Sequence, residues 1–333
     1  MGQFLRVGQN PAKSIRHVAQ PEKVTVAVTA YIPFLGGYYA HSFEVLKVCL
    51  GSILANTDQP FDLMVFDNAS CSEVVRFLET LRDQSKIQYL ILASKNVGKV
   101  GAWNAIFGAA PGEFIAYSDM DVYYYPGWLS KHLEVFDAFP EAGTVAGLPR
   151  RGDLPLYTNT IHQLANLPDT KVEEGRLIPD EWILDHAHSL GKTQETIADE
   201  FGLNDYRISR QGVSAYATGT HFQFMIRADV VRQFLPFPNE RPMGDSVAHF
   251  DRAIDGNHLL RLATSERVTL HMGNQLSGQV IALIPPGFQQ LTDLTSIPVQ
   301  TKSSSTYYKF LDWKPVRKLL LAFYDRIFRI YYG

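Results

Sequence analysis

The chain has 333 residues, 46% hydrophobic and 20% charged, with a formal net charge of −3. That length buries a sizeable core in one large or two small domains, and the near-neutral balance excludes the broad basic field of a nucleic-acid binder. Two cysteines, Cys49 and Cys71, have neither C-x-x-C nor zinc spacing and predict reduced thiols in a cytoplasmic protein.

Residues 1–22 read as a polar lead-in, without the apolar core of a signal peptide. Arg6 stands where a myristoylation motif needs Ser or Thr. No apolar stretch of about 18 residues follows, so no span of a membrane is expected. The β-branched run Val24-Thr25-Val26-Ala27-Val28-Thr29-Ala30 predicts a buried parallel strand. After a loop with Pro33, Gly36 and Gly37, Val45, Leu46, Cys49, Leu50 and Ile53 predict a helix over 43–56. Strands are expected at 62–66, 87–92 and 114–117, with helices at 72–83 and 98–109 between them. Strands alternating with helices imply a doubly wound, mostly parallel sheet flanked by helices.

Polar residues recur at the strand ends: Thr29 and Tyr31, then Asp67 and Asn68, then Asn96, then Asp119 and Asp121. Singly, each is an ordinary turn residue. Four in succession along one sheet edge line a crevice suited to a nucleotide-sized ligand. Their order, Asp67-Asn68, then Asn96-x-Gly98 through Asn104, then Asp119-x-Asp121 with Pro126-Gly127-Trp128-Leu129 behind it, resembles the family 2 glycosyltransferases of the GT-A fold. The likeness is best over 24–130 and weaker over 212–275.

The resemblance implies a nucleotide-diphosphate-sugar donor (UDP-, GDP- or dTDP-linked) and a hydroxyl acceptor. Asp67 would accept hydrogen bonds from the base edge. Asn68, Asn96, Gly98 and Asn104 would shape the donor loop, beside Thr29 and Tyr31, and Lys99 would meet phosphate. Asp119 would lie against ribose or metal, and Asp121 would hold Mn²⁺ or Mg²⁺ at the diphosphate. His271, after an expected strand at 267–270, is a third candidate metal ligand. Inverting transfer needs a general base. Met243-Gly244-Asp245-Ser246 occupies the place of the family's Glu-Asp pair but lacks its Glu, which leaves Asp245 and Asp251 as alternatives, Asp245 preferred. Asp245 would otherwise cap a helix over 246–255, and His221 would pack structurally.

A GT-A-like domain is thus expected over 23–300, with a donor half 23–130 and an acceptor half 131–300 carrying an insertion at 151–212. Loops of that kind hold specificity. Within it, 193–204 followed by Tyr206–Arg210 has the look of a helix-turn-helix. Without a basic flank to hold phosphates, it reads as a plain helical hairpin. Residues 301–333 form a linker and tail. Lys314, Arg317, Lys318, Arg326 and Arg329 oppose a face of Leu, Phe, Ile and Tyr, the pattern of an interfacial amphipathic helix or of a helix packed on its own domain or a partner subunit. A cell-envelope glycan or lipid-linked acceptor, at the inner face of the membrane through 312–333, suits the first case. Homo-oligomers suit the second. A nucleotidyltransferase would share the sheet and acidic pair, but 31–42 contains no Lys or Arg. An inactive nucleotide- or glycan-binding module is the other alternative.

Overall fold

The computed structural model describes residues 8, 10–151, 167–198, 203–238, 245–284 and 326. The chain divides into a unit of Met1–Leu294 and a second of Thr295–Gly333. Apart from Arg326, the tail singled out above lies outside the described residues.

In the first unit, strands β1 (Val24–Ala30), β2 (Asp62–Asp67), β3 (Tyr89–Leu92) and β4 (Phe114–Asp119) alternate with helices α1 (Ser42–Asn56), α2 (Ser72–Asp83) and α3 (Gly98–Ala109). The four strands pair in parallel in the order β3-β2-β1-β4. β1 and β2 are apolar along almost their whole length and buried, as central strands covered on both faces require. The strand expected from Ile87 begins at Tyr89 and is half-exposed, because it forms the sheet edge. α2 shows why these helices dock: Val74, Leu78 and Leu81, at i, i+4 and i+7, are its buried residues.

Next come the short β5 (Val122–Tyr124), α4 (Trp128–Ala138) and β6 (Ala142–Ala146). β7 (Lys171–Gly175), α5 (Asp180–Ser189), β8 (Asp205–Arg210), β9 (Val213–Ala217), β10 (Gln223–Arg227) and α6 (Ala228–Arg232) follow. The described chain of this unit ends with α7 (Asp245–Gly256), β11 (Leu260–Thr264), β12 (Thr269–His271) and α8 (Gly278–Leu283). The large sheet continues past β4 as β10-β6-β11-β9-β8-β7. Only β10, β9 and β7 run against the other seven strands, so the sheet is mostly parallel as expected. Behind it, Trp103 of α3 is fully buried, its ring 5.5 Å from Tyr117 of β4 and 5.4 Å from Phe250 of α7.

One expectation is overturned. Residues 205–210 are not the second arm of a helical hairpin but β8, paired antiparallel with β7 and β9. Gln211 and Gly212 both have positive φ, 53° and 82°, the signature of a tight two-residue hairpin turn. Ser209 meets Ser214 across the pair at 2.7 Å. The first arm of that hairpin, expected within 193–204, contains a 3-10 turn at Gln194–Ile197.

Two buried polar anchors tie the second half to the sheet. Arg151 has no exposed side-chain surface, and its Nη2 is 2.9 Å from Asp205. Its Nη1 is 2.8 Å from Asp180 at the start of α5, and its Nη2 also donates to the carbonyl of Ile178 at 2.7 Å. His132 of α4, also buried, lies 2.8 Å from the carbonyl of Trp128 and 3.3 Å from Gln223 of β10. Burial pushes its imidazole down to about 4, against the pull of those two hydrogen bonds.

Both anchors make measurable demands. Arg151→Ala leaves the Asp205 carboxylate buried without its counter-ion and should cost about 3–5 kcal/mol in urea unfolding; a loss below 1 kcal/mol would refute the anchoring role. His132 is held neutral in the fold and takes up a proton near pH 6.5 when unfolded. Its contribution is therefore complete above that pH and lost as pH falls towards about 4. Unfolding free energy should drop by about 1.4 kcal/mol per pH unit in that window, and His132→Gln should remove that part of the slope.

Candidate functional site

Parallel register brings the expected residues to one edge. Ala30 lies opposite Asp67, and Thr29 opposite Asp119. Asp67 is buried. Its Oδ2 accepts the N–H of Ser70 at 3.1 Å, while its Oδ1 is buried with no partner among the described residues. Burial pushes this carboxyl above the ordinary range, opposed by the hydrogen bonds from Ser70 and Ala69. A buried oxygen left without a hydrogen bond is uncommon in a folded protein and asks for an explanation.

The two asparagines next to it build the wall. Asn68 donates to Asn96 Oδ1 at 3.0 Å and accepts from the N–H of Val97 at 2.8 Å. Asn96 Oδ1 also takes the N–H of Gly98 at 2.7 Å. Gly98 opens α3 at φ 74°, a conformation glycine adopts without strain. Tyr31 packs edge-on against Tyr39, centroids 5.9 Å apart. Asn104, expected in the donor loop, has another task. It clamps the backbone of Phe237 from both sides, donating at 3.0 Å and accepting at 2.8 Å, and so splints α3 to the segment after α6.

The acidic pair Asp119 and Asp121 is divided. β4 runs on through Asp119, whose Oδ2 meets Lys99 at 2.7 Å and whose Oδ1 accepts from Tyr117 at 2.6 Å. After the turn at Met120 the chain enters β5, which pairs with β12 so that His271 faces Val122. His271 thus closes its strand instead of following it. Its Nε2 is 3.3 Å from Asp121 Oδ2, and its Nδ1 is engaged by Ser189 Oγ at 2.8 Å. Asp121 Oδ1 is buried and has no partner among the described residues. Burial pushes Asp121 above the usual carboxylate range, with His271 pulling it down and Asp119 pushing it further up. The expected trio of metal ligands is therefore not assembled. Among the described residues no group of three or more His, Cys, Asp or Glu is placed to hold a metal. Asp121 and His271 alone fit a hard cation that draws its other oxygens from phosphate and water.

Of the two candidate bases, Asp251 is withdrawn. It is buried in α7, 2.8 Å from His221 Nε2 and 3.2 Å from Arg261. Its negative charge is already neutralised, so it anchors α7 to β11. Asp245 is the first residue of α7, and residues 239–244 before it lie outside the described chain.

The sequence pattern left one group of residues unread. His186 of α5 packs edge-on against His271, ring centroids 5.7 Å apart, and lines a cavity of about 170 Å³ together with Arg150, Trp182, Leu190 and Lys192 among others. Burial pushes His186 down to about 3, and His271, Arg150, Lys192 and Arg267 add to the shift. The only signal was position: His186 and Ser189 lie in the stretch set apart by its composition, with no motif to mark them.

Residues 37–192 match the family described as glycosyl transferase family 2. An uncharacterized glycosyltransferase of a Nostoc species is 29% identical over 100 residues, 30% of this chain and 31% of its own, so the match spans about a third of that curated relative. Among solved structures, residues 1–349 of S. aureus TarS give a TM-score of 0.46 at 14% identity, covering 82% of this chain and 65% of that one. The Pyrobaculum calidifontis mannosyltransferase PcManGT, in complex with GDP-Man and Mn²⁺, gives 0.44 at 16% identity, covering 74% of this chain and 55% of its own. The family match begins ahead of Asp67 and ends beyond Ser189, taking in the segments that carry Asp67, Asp119 and Asp121, and over those residues the chain is similar to family 2 glycosyltransferases.

Proposed function

We propose that the chain moves a sugar from a nucleotide-diphosphate-sugar donor to a hydroxyl acceptor, with inversion, in the synthesis of a cell-envelope or surface glycan. The observation that carries this reading is the pair of partnerless buried carboxylate oxygens, on Asp67 and Asp121, at one sheet edge. Asp67 and Asp119 flank β1, about 10 Å apart by strand spacing, which suits a nucleoside at one end and a diphosphate at the other.

In this reading Asp67 accepts an N–H of the base, and the Asn68–Asn96 clamp with Gly98 holds the loop that backs it. Thr29 and Tyr31 close the β1 side. Lys99 keeps Asp119 oriented towards the ribose. Asp121 and His271 would hold Mn²⁺ or Mg²⁺, which when bound would supply positive charge to offset that of the leaving diphosphate. The acceptor oxygen attacks the anomeric carbon from the face opposite the diphosphate. The carbon–oxygen bond to the diphosphate breaks, and Asp245 takes the acceptor proton. No helix among the described residues is long and apolar enough to cross a membrane; a lipid-linked acceptor would be met through the basic tail 312–333.

Transfer from a panel of UDP-, GDP- and dTDP-sugars should stop in excess EDTA and return with Mn²⁺ or Mg²⁺. Asp121→Ala should be inactive yet unfold at the same urea concentration, because the carboxyl it removes is already penalised by burial. Full activity in EDTA or in that variant would sink the metal assignment. Asp245→Asn should lower transfer by about 10²–10⁴-fold with nucleotide affinity unchanged. Asp251→Asn should instead lower stability, since it weakens the ties to Arg261 and His221. A fully active Asp245→Asn would remove Asp245 as base.

A further inference from the structure

Tyr117 and Asp119 stand two residues apart on β4 and so share a face of the strand. The Tyr117 ring is fully buried. Ala27 of β1 and Phe224 of β10 lie opposite it in the register, and Trp103 of α3 packs against it edge-on, centroids 5.5 Å apart. From that socket the hydroxyl donates to Asp119 Oδ1 at 2.6 Å. The other oxygen, Oδ2, takes the ammonium of Lys99 at 2.7 Å, and the same ammonium lies over the rings of Trp103 and Tyr117, 5.5 and 5.7 Å from their centroids. A buried tyrosine hydroxyl needs a partner, and that need alone would explain the first contact. It does not explain why two donors from two elements converge on one carboxylate. The Asp119 side chain is 28% exposed, and a carboxylate that water reaches needs neither donor to be satisfied. Two donors on its two oxygens give it a direction, because they fix the carboxylate plane against β4.

We propose that Tyr117 is a positioning residue that sets Asp119 to receive both hydroxyls of a ribose, and that the donor is therefore a ribonucleotide, UDP- or GDP-linked, in preference to a deoxyribonucleotide such as dTDP. A carboxylate oxygen accepts two hydrogen bonds. Tyr117 and Lys99 take one on each oxygen, so one remains on each, and a 2′,3′-diol is the group that brings two donors side by side. A sugar without the 2′-hydroxyl leaves one of those acceptors facing carbon, and a site built to hydrogen-bond a hydroxyl rejects the analogue that lacks it. A carboxylate free to turn would escape that penalty by swinging towards water; the Tyr117 hydroxyl prevents the swing. The inference rests on the nucleotide-sugar reading and narrows its donor.

Calorimetric titration of the full chain with UDP, GDP and their 2′-deoxy counterparts, in the presence of Mn²⁺, tests it. The ribonucleotide that binds should do so at least about tenfold more tightly than its deoxy form, the worth of one hydrogen bond to a charged group. Tyr117→Phe keeps the ring and its packing and removes only the hydroxyl. The ratio should collapse towards one in this variant, through weaker binding of the ribonucleotide, with the deoxy form bound as before. Lys99→Met, at a part-exposed position, releases the other oxygen and should shrink the same ratio. Added to Asp119→Ala, Tyr117→Phe should change neither affinity further, since its effect passes through that carboxylate. A Tyr117 that only fills the core would weaken both nucleotides together or neither, and the ratio would survive. An intact ratio in Tyr117→Phe or in Lys99→Met, equal binding of the two nucleotides by the unaltered chain, or an additive loss in the double variant would each overturn the proposal. Failure of the unaltered chain to bind any nucleotide would overturn the donor reading as well.

Discussion

The parallel register of β1 between β2 and β4 is the constraint on which the site depends. It sets Ala30 beside Asp67 and Thr29 beside Asp119, and it is hard to slip. Nearly every residue of the three strands is buried, so a shift by one position would turn each side chain to the other face and break the packing on both. The carboxylates at the ends inherit that rigidity. They sit on strand ends, held to the sheet by hydrogen bonds, and loops need only cover them.

Placing acids at such an edge has an electrostatic consequence, and the two halves of the acidic pair meet it differently. Asp119 is satisfied within the domain, by the ammonium of Lys99 and the hydroxyl of Tyr117. Asp121 is left with a sealed oxygen, a carboxyl made less acidic by burial, and a single imidazole for company. A buried charged group that is not paired is costly, and such groups cluster where a ligand completes them. Asp67 repeats the arrangement at the other end of the crevice.

The second half of the unit is assembled by buried polar contacts more than by apolar periodicity. Arg151 gathers Asp205, Asp180 and the carbonyl of Ile178 around one guanidinium, and Asp205 in turn accepts the N–H groups of Leu177 and Ile178, each at 2.9 Å. That knot joins the start of β8, the start of α5 and the chain beyond β6. α5 then delivers Ser189 to His271 and places His186 between His271 and the cavity. Buried ion pairs of this kind stabilise little for their number of contacts, and here their value is positional.

Local pattern alone was enough for β1 to β4 and the helices between them. Apolar runs of strand length, helical spacing between them and Asp or Asn after each run follow from backbone periodicity and turn chemistry, and they located β1 to β4 and the row Asp67, Asn68, Asn96 and Asp119 with errors of a residue or two at the ends. Other outcomes depended on partners far along the chain. Tyr206–Arg210 has no composition that separates strand from helix; pairing with β7 and the Gln211–Gly212 turn made it β8. Asp245 was preferred over Asp251 only on its place beside a family-like pair, and what set Asp251 apart was its enclosure by Arg261 and His221; Asn104 looked like a donor residue until Phe237, more than a hundred residues later, occupied its amide. Asp121 and His271 are 150 positions apart and meet only because β5 pairs with β12. A side chain's type is local, but its availability is set by what the fold packs against it, and that is why tertiary structure alone decided which of these residues remain open to a ligand.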